Sequence, residues 1–332
     1  MKFSVVMSVY NGEEYLTESI DSILNQTYPD FEFIIVNDGS TDQTRQMLDT
    51  VDDNRVRVYH LEKNYGLSYG LNFGISMAKG EWIVRQDADD ISLPQRIEKQ
   101  NHFIQSNPGL IGVSSFIRCI SAKAPIPSHL LHDIEGTNKI LTRQQMMQHR
   151  FLAPPFIHGS VIFSKEVFNQ IGRYNVRYAI CQDHDLWIRM LEVGDIPKLE
   201  EVLYEYRIDP SSLCHKDEAA TCREVMEICT FHIRDWLSRQ LNRQPKVLVL
   251  GSENGCQYLK NNILPFTGLH VQSYVTQDLI RRMPEVFNDY KKGNVDAIVL
   301  LDCPVAPYAL EFLQKSGMQM SRNLFKIWNV FL

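Results

Sequence analysis

Three carboxylates, Asp87, Asp89 and Asp90, crowd the end of an apolar run in the stretch WIVRQDADDISLPQR. Like charges repel one another and are hard to bury, so such a cluster needs something to neutralise it. A divalent cation would do so, and hard Mg2+ or Mn2+ prefers one or two carboxylates plus diphosphate oxygens over a full protein cage. The bland alternative is a solvated acidic turn; the apolar strand before the cluster and the helix signal after Pro94 favour a fixed site. Asp183, in CQDHDLWIRM, stands at the start of a helical pattern, where an acid either suits the helix dipole or serves as a general base. Asp38, in VNDGS, is either part of an Asx turn or a carboxylate facing a ligand, with Gly39 letting the backbone come close.

These residues need elements to hold them. Residues 3–9 form a β-branched apolar run that predicts a buried strand. Asn11, with Glu14 three residues on, predicts a capping box opening a helix with Tyr15, Leu16, Ile20, Ile23 and Leu24 on one face. FEFIIVNDGSTD predicts a second buried strand running into a turn, with Ser40 or Thr41 capping another helix. Residues 55–60 predict a third strand, 67–78 a third helix and 81–85 a fourth strand. Alternation of this kind implies parallel pairing through right-handed crossovers, with ligands at the carboxyl ends of the strands. SVYNG, NDGS and the acidic cluster all fall at such ends and therefore belong to one site.

The middle of the chain is less regular. SAKAPIPSHLLHDIEGTN reads as a loop, followed by a short helix at 143–149, and HGSVIFSKEVFNQIG as a strand and a helix ended by Gly172. Residues 183–192 read as a helix stopped by Gly194, 199–207 as strands, and 217–239 as a long polar helix. At NRQPKVLVLGSENG, Pro245 and a fresh strand signal start a new strand and helix alternation. The expected domains are therefore 1–215, a helical connector at 216–244, and a small Rossmann-like α/β domain at 245–332.

Composition narrows the function classes. The 332 residues are 44% apolar and 22% charged, as in ordinary folded proteins, and suffice for about two domains. A net charge of -6 offers no basic footprint for nucleic acid. Seven cysteines, an odd number with no CxxC pair, argue against a disulfide framework or a zinc knuckle and suit a reducing compartment. No apolar run approaches the roughly 20 residues that span a bilayer, so the expectation is a soluble, cytoplasmic protein, at most peripheral to the inner face of a membrane.

Taken together, SVVMSVYNGEEYLTESIDSILNQTYPDFEFIIVNDGSTDQT, NYGLSYGLNFGISMAKGEWIVRQDADD and CQDHDLWIRM resemble a family 2 glycosyltransferase of the GT-A fold over about residues 1–215. The resemblance implies a mostly parallel, Rossmann-like sheet flanked by helices, and transfer of a sugar from a nucleotide-sugar donor. It places Asp38 on the base, where a carboxylate can select the N3 donor of uracil, with Tyr10 and Asn11 in the adjacent loop. It implies that Asp89 ligates Mn2+ or Mg2+, that Asp87 contacts the ribose or a metal-bound water, and that His215 is a further candidate metal or diphosphate contact. Asp183 is then the base that takes the acceptor hydroxyl's proton, with the Asp185 and Trp187 positions supporting it, and His158 and Gly159 lie on the acceptor side. An exposed His215 with no role and a packed His158 stay open as alternatives. Arg85 and Arg96 read as phosphate contacts or as salt-bridged scaffold.

This chain departs from the family pattern at two places. Gln182 precedes Asp183 where the family commonly shows Glu, and Leu71 stands where relatives often carry arginine. The resemblance implies an inverting single displacement. Neither membrane spans nor the Gln-x-x-Arg-Trp signature of the processive members occurs, which implies one sugar transferred at a time to a glycan or lipid-linked acceptor, as in surface polysaccharide synthesis. Two other readings remain: a nucleotide-sugar pyrophosphorylase, which would open with a Gly-rich basic loop instead of SVYNGEEY, and a non-catalytic nucleotide-sugar-binding or scaffold subunit. In the C-terminal part, LVLGSENGCQYL lacks the G-x-G-x-x-G spacing, so the expected role there is packing, homo-oligomer formation or partner docking rather than cofactor binding.

Overall fold

The structure is a computed structural model that describes residues 2–121, 123, 125–209 and 217–330. The chain divides into two compact units. One is formed by the chain up to Met146 and the segment that begins at Pro155 and ends with the long strand described below. The other is formed by Met147–Pro154 and the chain from the long helix onward.

In the first unit, strands β1 (Phe3–Val9) and β2 (Phe31–Asn37) are buried along their whole length. Such Val, Ile and Phe runs are what a sheet covered on both faces requires. They alternate with helices α1 (Leu16–Leu24), α2 (Thr44–Asp49) and α3 (Leu67–Met77), and with strands β3 (Val56–His60) and β4 (Trp82–Arg85). β1 pairs in parallel with β2 on one side and β4 on the other, with Val9 opposite Asn37 and Val6 opposite Arg85. The carboxyl ends of these three strands therefore meet at one edge, on either side of the point where the strand order reverses.

Beyond β4 come β5 (Ile91–Ser92), α4 (Arg96–Ser106), β6 (Gly112–Ser121), α5 (Ser128–Glu135), α6 (Arg143–His149), β7 (Ile162–Ser164), α7 (Lys165–Gln170), α8 (Gln182–Val193) and β8 (Lys198–Ile208). Among the described residues the sheet has eight strands in the order β3-β2-β1-β4-β7-β6-β8-β5. β7 runs antiparallel to both β4 and β6, and β5 antiparallel to β8, so the sheet is mostly parallel.

Several local expectations are corrected. Asn11 caps nothing: it holds a left-handed φ of 53°, and the residue before α1 is Tyr15, with no side-chain cap. Ser40 and Thr41 do not cap α2 either, because both are bonded to Asn11. The stretch expected to be a loop contains α5 and a 3-10 turn at Gly136–Lys139. These cover the free edge of β6, where Asn138 bonds both the N–H and the C=O of Ile117, and Glu135 accepts from the Cys119 N–H.

The second unit contains α9 (Glu218–Leu241), capped by the Asp217 carboxylate accepting from the Ala220 N–H at 2.9 Å. It also contains an all-parallel sheet of β9 (Lys246–Leu250), β10 (His270–Val275), β11 (Ala297–Leu301) and β12 (Leu324–Ile327), in the order β10-β9-β11-β12. Leu248, Leu250, Ile298 and Leu300 form the centre of its core. After β9, a Cβ on Gly255 would lie 2.5 Å from the Asn329 side-chain nitrogen, so that glycine serves close packing inside the unit. No helix among the described residues is long and apolar enough to cross a membrane.

One buried charge ties the first unit's sheet together. Glu32 accepts from Ser4 Oγ at 2.6 Å, from the Lys79 N–H at 2.5 Å and from Arg57. Burial alone would raise its pKa, but these donors outweigh burial and hold it below the ordinary range. Removing the carboxylate strands three donors, one of them a guanidinium about a third exposed and open to water. Glu32→Ala is expected to cost roughly 2–4 kcal/mol in urea unfolding at pH 7. The wild-type advantage should fade as pH falls through the depressed Glu32 pKa.

Candidate functional site

The site is built at the carboxyl ends of β1, β2 and β4. The segment after β1 is bonded residue by residue to the segment after β2. The Asn11 N–H donates to Ser40 Oγ at 2.9 Å, and Asn11 Oδ1 accepts from the Thr41 N–H at 2.8 Å. The Gly12 N–H donates to Thr44 Oγ1 at 2.9 Å, and Glu13 accepts from the Gln43 N–H at 2.9 Å. Tyr10 is left 48% exposed at the tip, available for ring stacking. Asn11 sits beside it with its side-chain oxygen already engaged, so its place is that of a clamp between the two loops.

Asp38 is buried, and each of its oxygens takes one backbone donor, the Tyr65 N–H at 2.9 Å and the Gly66 N–H at 2.8 Å. It thereby anchors the start of α3. Gly39 beside it has φ +70°, and a Cβ there would lie 2.3 Å from the Lys63 carbonyl carbon, so neither the turn nor the close approach tolerates a side chain.

The acidic cluster at the end of β4 sorts into separate environments. Asp87 pairs with Arg85, whose side chain is fully buried. Asp90 is buried, accepting from the Tyr204 hydroxyl at 2.8 Å and from the Arg207 N–H at 2.7 Å. Burial, then the charge of Asp89, pushes its pKa well above the carboxylate range. Asp90 is therefore an anchor for β8. Asp89 is half-buried; burial first, and the Asp87 charge second, push its carboxyl up to about 6. Arg207 Nε donates to the Asp89 carbonyl at 2.6 Å, and its guanidinium also pairs with Glu18.

Asp183 lies in the first turn of α8, with Oδ1 accepting from the His184 N–H at 2.8 Å. Burial raises its pKa to about 6, and the Asp87 charge adds to the rise. Burial here outweighs what a helix N-terminus does for a carboxylate. Asp185, one turn position on, is committed to Arg189, which also bonds the carbonyls of Ile171 and Arg173. Gln182 is buried, and its Oε1 has no hydrogen-bond partner among the described residues.

His158 is packed between Tyr174 and Trp187. Its Nε2 lies 2.7 Å from the Tyr174 hydroxyl and accepts from Arg85 Nε at 3.3 Å. Burial and the Arg85 charge drive its pKa well below the ordinary value, so the ring is neutral at pH 7. Gly159 makes room for Tyr204: a Cβ there would lie 1.8 Å from the Tyr204 hydroxyl. Arg96 is buried with no carboxylate partner among the described residues, bonded to Ser92 and the Arg85 carbonyl and stacked 4.9 Å over the Tyr204 ring. Burial lowers its pKa to about 10. Leu71 is fully buried in the core.

The structure thus places Asp89 and Asp183 each within electrostatic reach of Asp87, and Asp38, Tyr10 and Asn11 together at the neighbouring strand ends. His215 lies outside the described residues. Among those residues no group of three His, Cys, Asp or Glu side chains forms a metal-holding cluster. Asp87 and Asp89 nonetheless suit a hard cation, since they are oxygen donors and Asp89 is ionised at a cost that a positive charge would remove. Sequence reasoning overlooked Tyr204, Arg207 and Tyr174. The signal for the first two was weak, an aromatic and a basic residue within the alternating pattern of VLYEYRID.

Known proteins resemble this chain in sequence and in fold. The profile described as Glycosyl transferase family 2 matches residues 4–172, a span that includes Asp38 and the acidic cluster and ends before Asp183. The O-antigen biosynthesis glycosyltransferase WbnJ of Escherichia coli is 34% identical over 248 residues, 71% of this chain and 89% of that one. The putative glycosyltransferase EpsE of Bacillus subtilis is 32% identical over 216 residues, 63% of this chain and 73% of that one. Among solved structures, S. aureus TarS 1-349 in complex with UDP-GlcNAc has a TM-score of 0.57 at 20% identity, covering 73% of each chain. The fold is the GT-A arrangement, a large mostly parallel sheet flanked by helices, with a second, smaller sheet after it.

The raised Asp89 pKa has a thermodynamic consequence. The folded state holds its proton more tightly than the unfolded chain, so the stability Asp89 contributes is present below about 3.8 and is lost as pH rises through about 6. Asp89→Asn is expected to raise stability at pH 7.5, in chelator, by about 1–2 kcal/mol after discounting for partial exposure. In thermal melts the gain should shrink toward zero near pH 4.

Proposed function

Because the chain belongs to Glycosyl transferase family 2, we propose that it moves one sugar at a time from a UDP-sugar to a hydroxyl of a glycan or lipid-linked acceptor, inverting the anomeric centre. The observation that carries this reading is the sorting of the acids. Asp87 is neutralised by Arg85, and Asp89 and Asp183 are both raised to about 6 by burial and by Asp87. The family names the activity class, and WbnJ by its name acts in O-antigen biosynthesis, which supports a role in surface polysaccharide assembly. TarS with UDP-GlcNAc supports uridine as the donor base.

In this mechanism Asp38 and the neighbouring Tyr10 and Asn11 bind the nucleotide, and Asp87 orients the ribose. Asp89 would hold Mn2+ or Mg2+, with His215 as a further candidate contact and Asp87 near a metal-bound water, and the ion would supply positive charge to the departing diphosphate. Asp183, ionised, takes the acceptor hydroxyl's proton on Oδ2, Oδ1 being held by the His184 N–H. The hydroxyl oxygen attacks C1 from the side opposite the leaving group, so the C1 configuration inverts. His158 and Gly159 line the acceptor side through their support of Arg85 and Tyr204.

The domain assignment follows the same reading: residues 1–215 catalyse, 216–244 connect, and 245–332 dock a partner or a second copy. The proposed place of work is the cytoplasm, at the inner face of the membrane where lipid-linked acceptors are built.

A pH profile and a titration test the proposal. A base with pKa about 6 predicts kcat/KM rising through pH 6 to a plateau, and Asp183→Asn lowering it by about 10²–10⁴-fold with donor binding retained. Calorimetry with UDP, GDP, TDP and CMP should show Mn2+-dependent binding of UDP that disappears in Asp89→Ala. Absence of binding by any of these nucleotides would move the protein to a scaffold role, and long homopolymer made from a single donor would overturn one-at-a-time transfer.

A further inference from the structure

Behind the nucleotide loops lies a chain of hydrogen bonds whose polarity is fixed from one end. The Ser40 N–H is a backbone donor, and it points at the Asn37 side chain at 3.0 Å, so the atom facing it must be the carbonyl Oδ1. The other end of the same amide is then Nδ2, a donor, and it faces His60 Nδ1 at 3.0 Å. Nδ1 must therefore be the unprotonated acceptor, which leaves the ring proton on Nε2, directed at Asp49 Oδ1 at 3.0 Å. Asn37 is buried and has no water to substitute for a lost partner, and His60 is only 18% exposed.

The chain ends in the proposed donor site. Ser40 Oγ receives the Asn11 N–H, and Asn11 in turn fixes Thr41 beside Tyr10 and Asp38. We propose that His60 is a positioning residue: its singly protonated form, with the proton on Nε2, sets the Asn37 amide and through it the loop that takes the nucleotide. The inference rests on the reading of that loop as the donor site.

Protonation breaks the arrangement for a geometric reason. A second proton on Nδ1 would face the Asn37 Nδ2 hydrogens, donor against donor. Turning the amide over would satisfy His60 but set Nδ2 against the Ser40 N–H, so one contact is lost in either orientation. The charged group facing the ring from α2 is Asp49, and from β2 it is met by the neutral Asn37; Tyr59, next to His60 on β3, points to the other face, against Phe73 of α3. Asp49 accepts the Nε2 hydrogen in either protonation state, so the contact that a second ring proton breaks is the one with Asn37.

Asn37→Asp gives the opposite polarity. A carboxylate can accept from Ser40 with one oxygen and from a protonated Nδ1 with the other, so this variant is satisfied by the imidazolium for which the native Asn37 amide offers no acceptor. The experiment measures the amide-exchange protection of Ser40 in the full chain between pH 5.5 and 8, and UDP affinity, with Mn2+, at pH 8, above the range in which Asp89 titrates. The wild type is expected to lose roughly three- to tenfold in Ser40 protection as pH falls, the worth of one hydrogen bond. His60→Ala should show the low protection at every pH and a roughly three- to tenfold weaker UDP affinity at pH 8, and Asn37→Asp should reverse the pH trend in protection.

Ser40 protection that ignores pH in the wild type, or an Asn37→Asp profile parallel to it, would overturn the proposal. Protection that follows the expected pattern while UDP fails to bind at pH 8 would sustain the His60 switch and reject only the donor-site reading.

Discussion

Four carboxyl groups, Asp87, Asp89, Asp90 and Asp183, are gathered where burial raises the cost of each charge, and the architecture of the first unit's carboxyl edge depends on how that cost is divided. Asp87 is paired with Arg85, whose side chain is fully buried. Asp90 meets the opposite solution: its pKa is raised well above the normal range, and two donors from β8 hold it. Asp89 and Asp183 receive neither treatment and are left near pKa 6, the range where a group can bind a cation or exchange a proton at neutral pH. The division relies on Tyr204, which exists in its place only because residue 159 is glycine.

A second constraint is the register of β1 against β2. With Val9 opposite Asn37, the segments that follow leave the sheet side by side, and each loop satisfies the other's backbone groups. A one-residue slip would reverse which side chains face the core and also separate these partners. The buried strands and the polar loops are thus determined together: apolar burial sets the register, and the register sets which hydroxyls and amides can meet. Asp38 shows the result, since its own N–H donates to the Val9 carbonyl at 2.8 Å while its side chain captures the start of α3.

Much of this was legible in the sequence because it depends on local pattern. The runs at β1, β2 and β4 are apolar without interruption, and the polar segments following them could belong only to strand ends. The helix of Asp183 was legible from its periodicity and from Gly194. What escaped was whatever depends on partners far along the chain. Asn11 and Glu14 have the spacing of a capping box, yet Asn11 is taken by Thr41, thirty residues away. The stretch of α5 reads as loop because its prolines and polar residues dominate, while its purpose, covering the edge of β6, is visible only once that edge exists. β6 itself, GVSSFIRCIS, is too polar to announce a strand and is held by its pairing with β8. Tyr204 and Arg207 carry no motif at all; their importance comes from standing opposite Asp90 and Asp89.

Charge arithmetic also bears on why a cation belongs in the proposed mechanism. A departing diphosphate needs positive charge close by, and the family position that often supplies an arginine is Leu71 here, fully buried among apolar neighbours. The guanidiniums in contact with the acidic cluster are Arg85 and Arg207. Arg85 is committed to Asp87 and to the Gln86 carbonyl, and Arg207 to Glu18 and the Asp89 carbonyl. Moving either toward a phosphate would uncover a carboxylate or a carbonyl that it now satisfies, and Arg85 would leave Asp87 uncompensated beside Asp89 and Asp183. In the proposed mechanism a divalent ion held by Asp89 would avoid that exchange, since it would relieve the repulsion between Asp89 and Asp87 and supply positive charge without moving either arginine. On the proposed mechanism, the acids that make this edge costly to fold are therefore the ones that would fit it, with a cation, to a diphosphate leaving group.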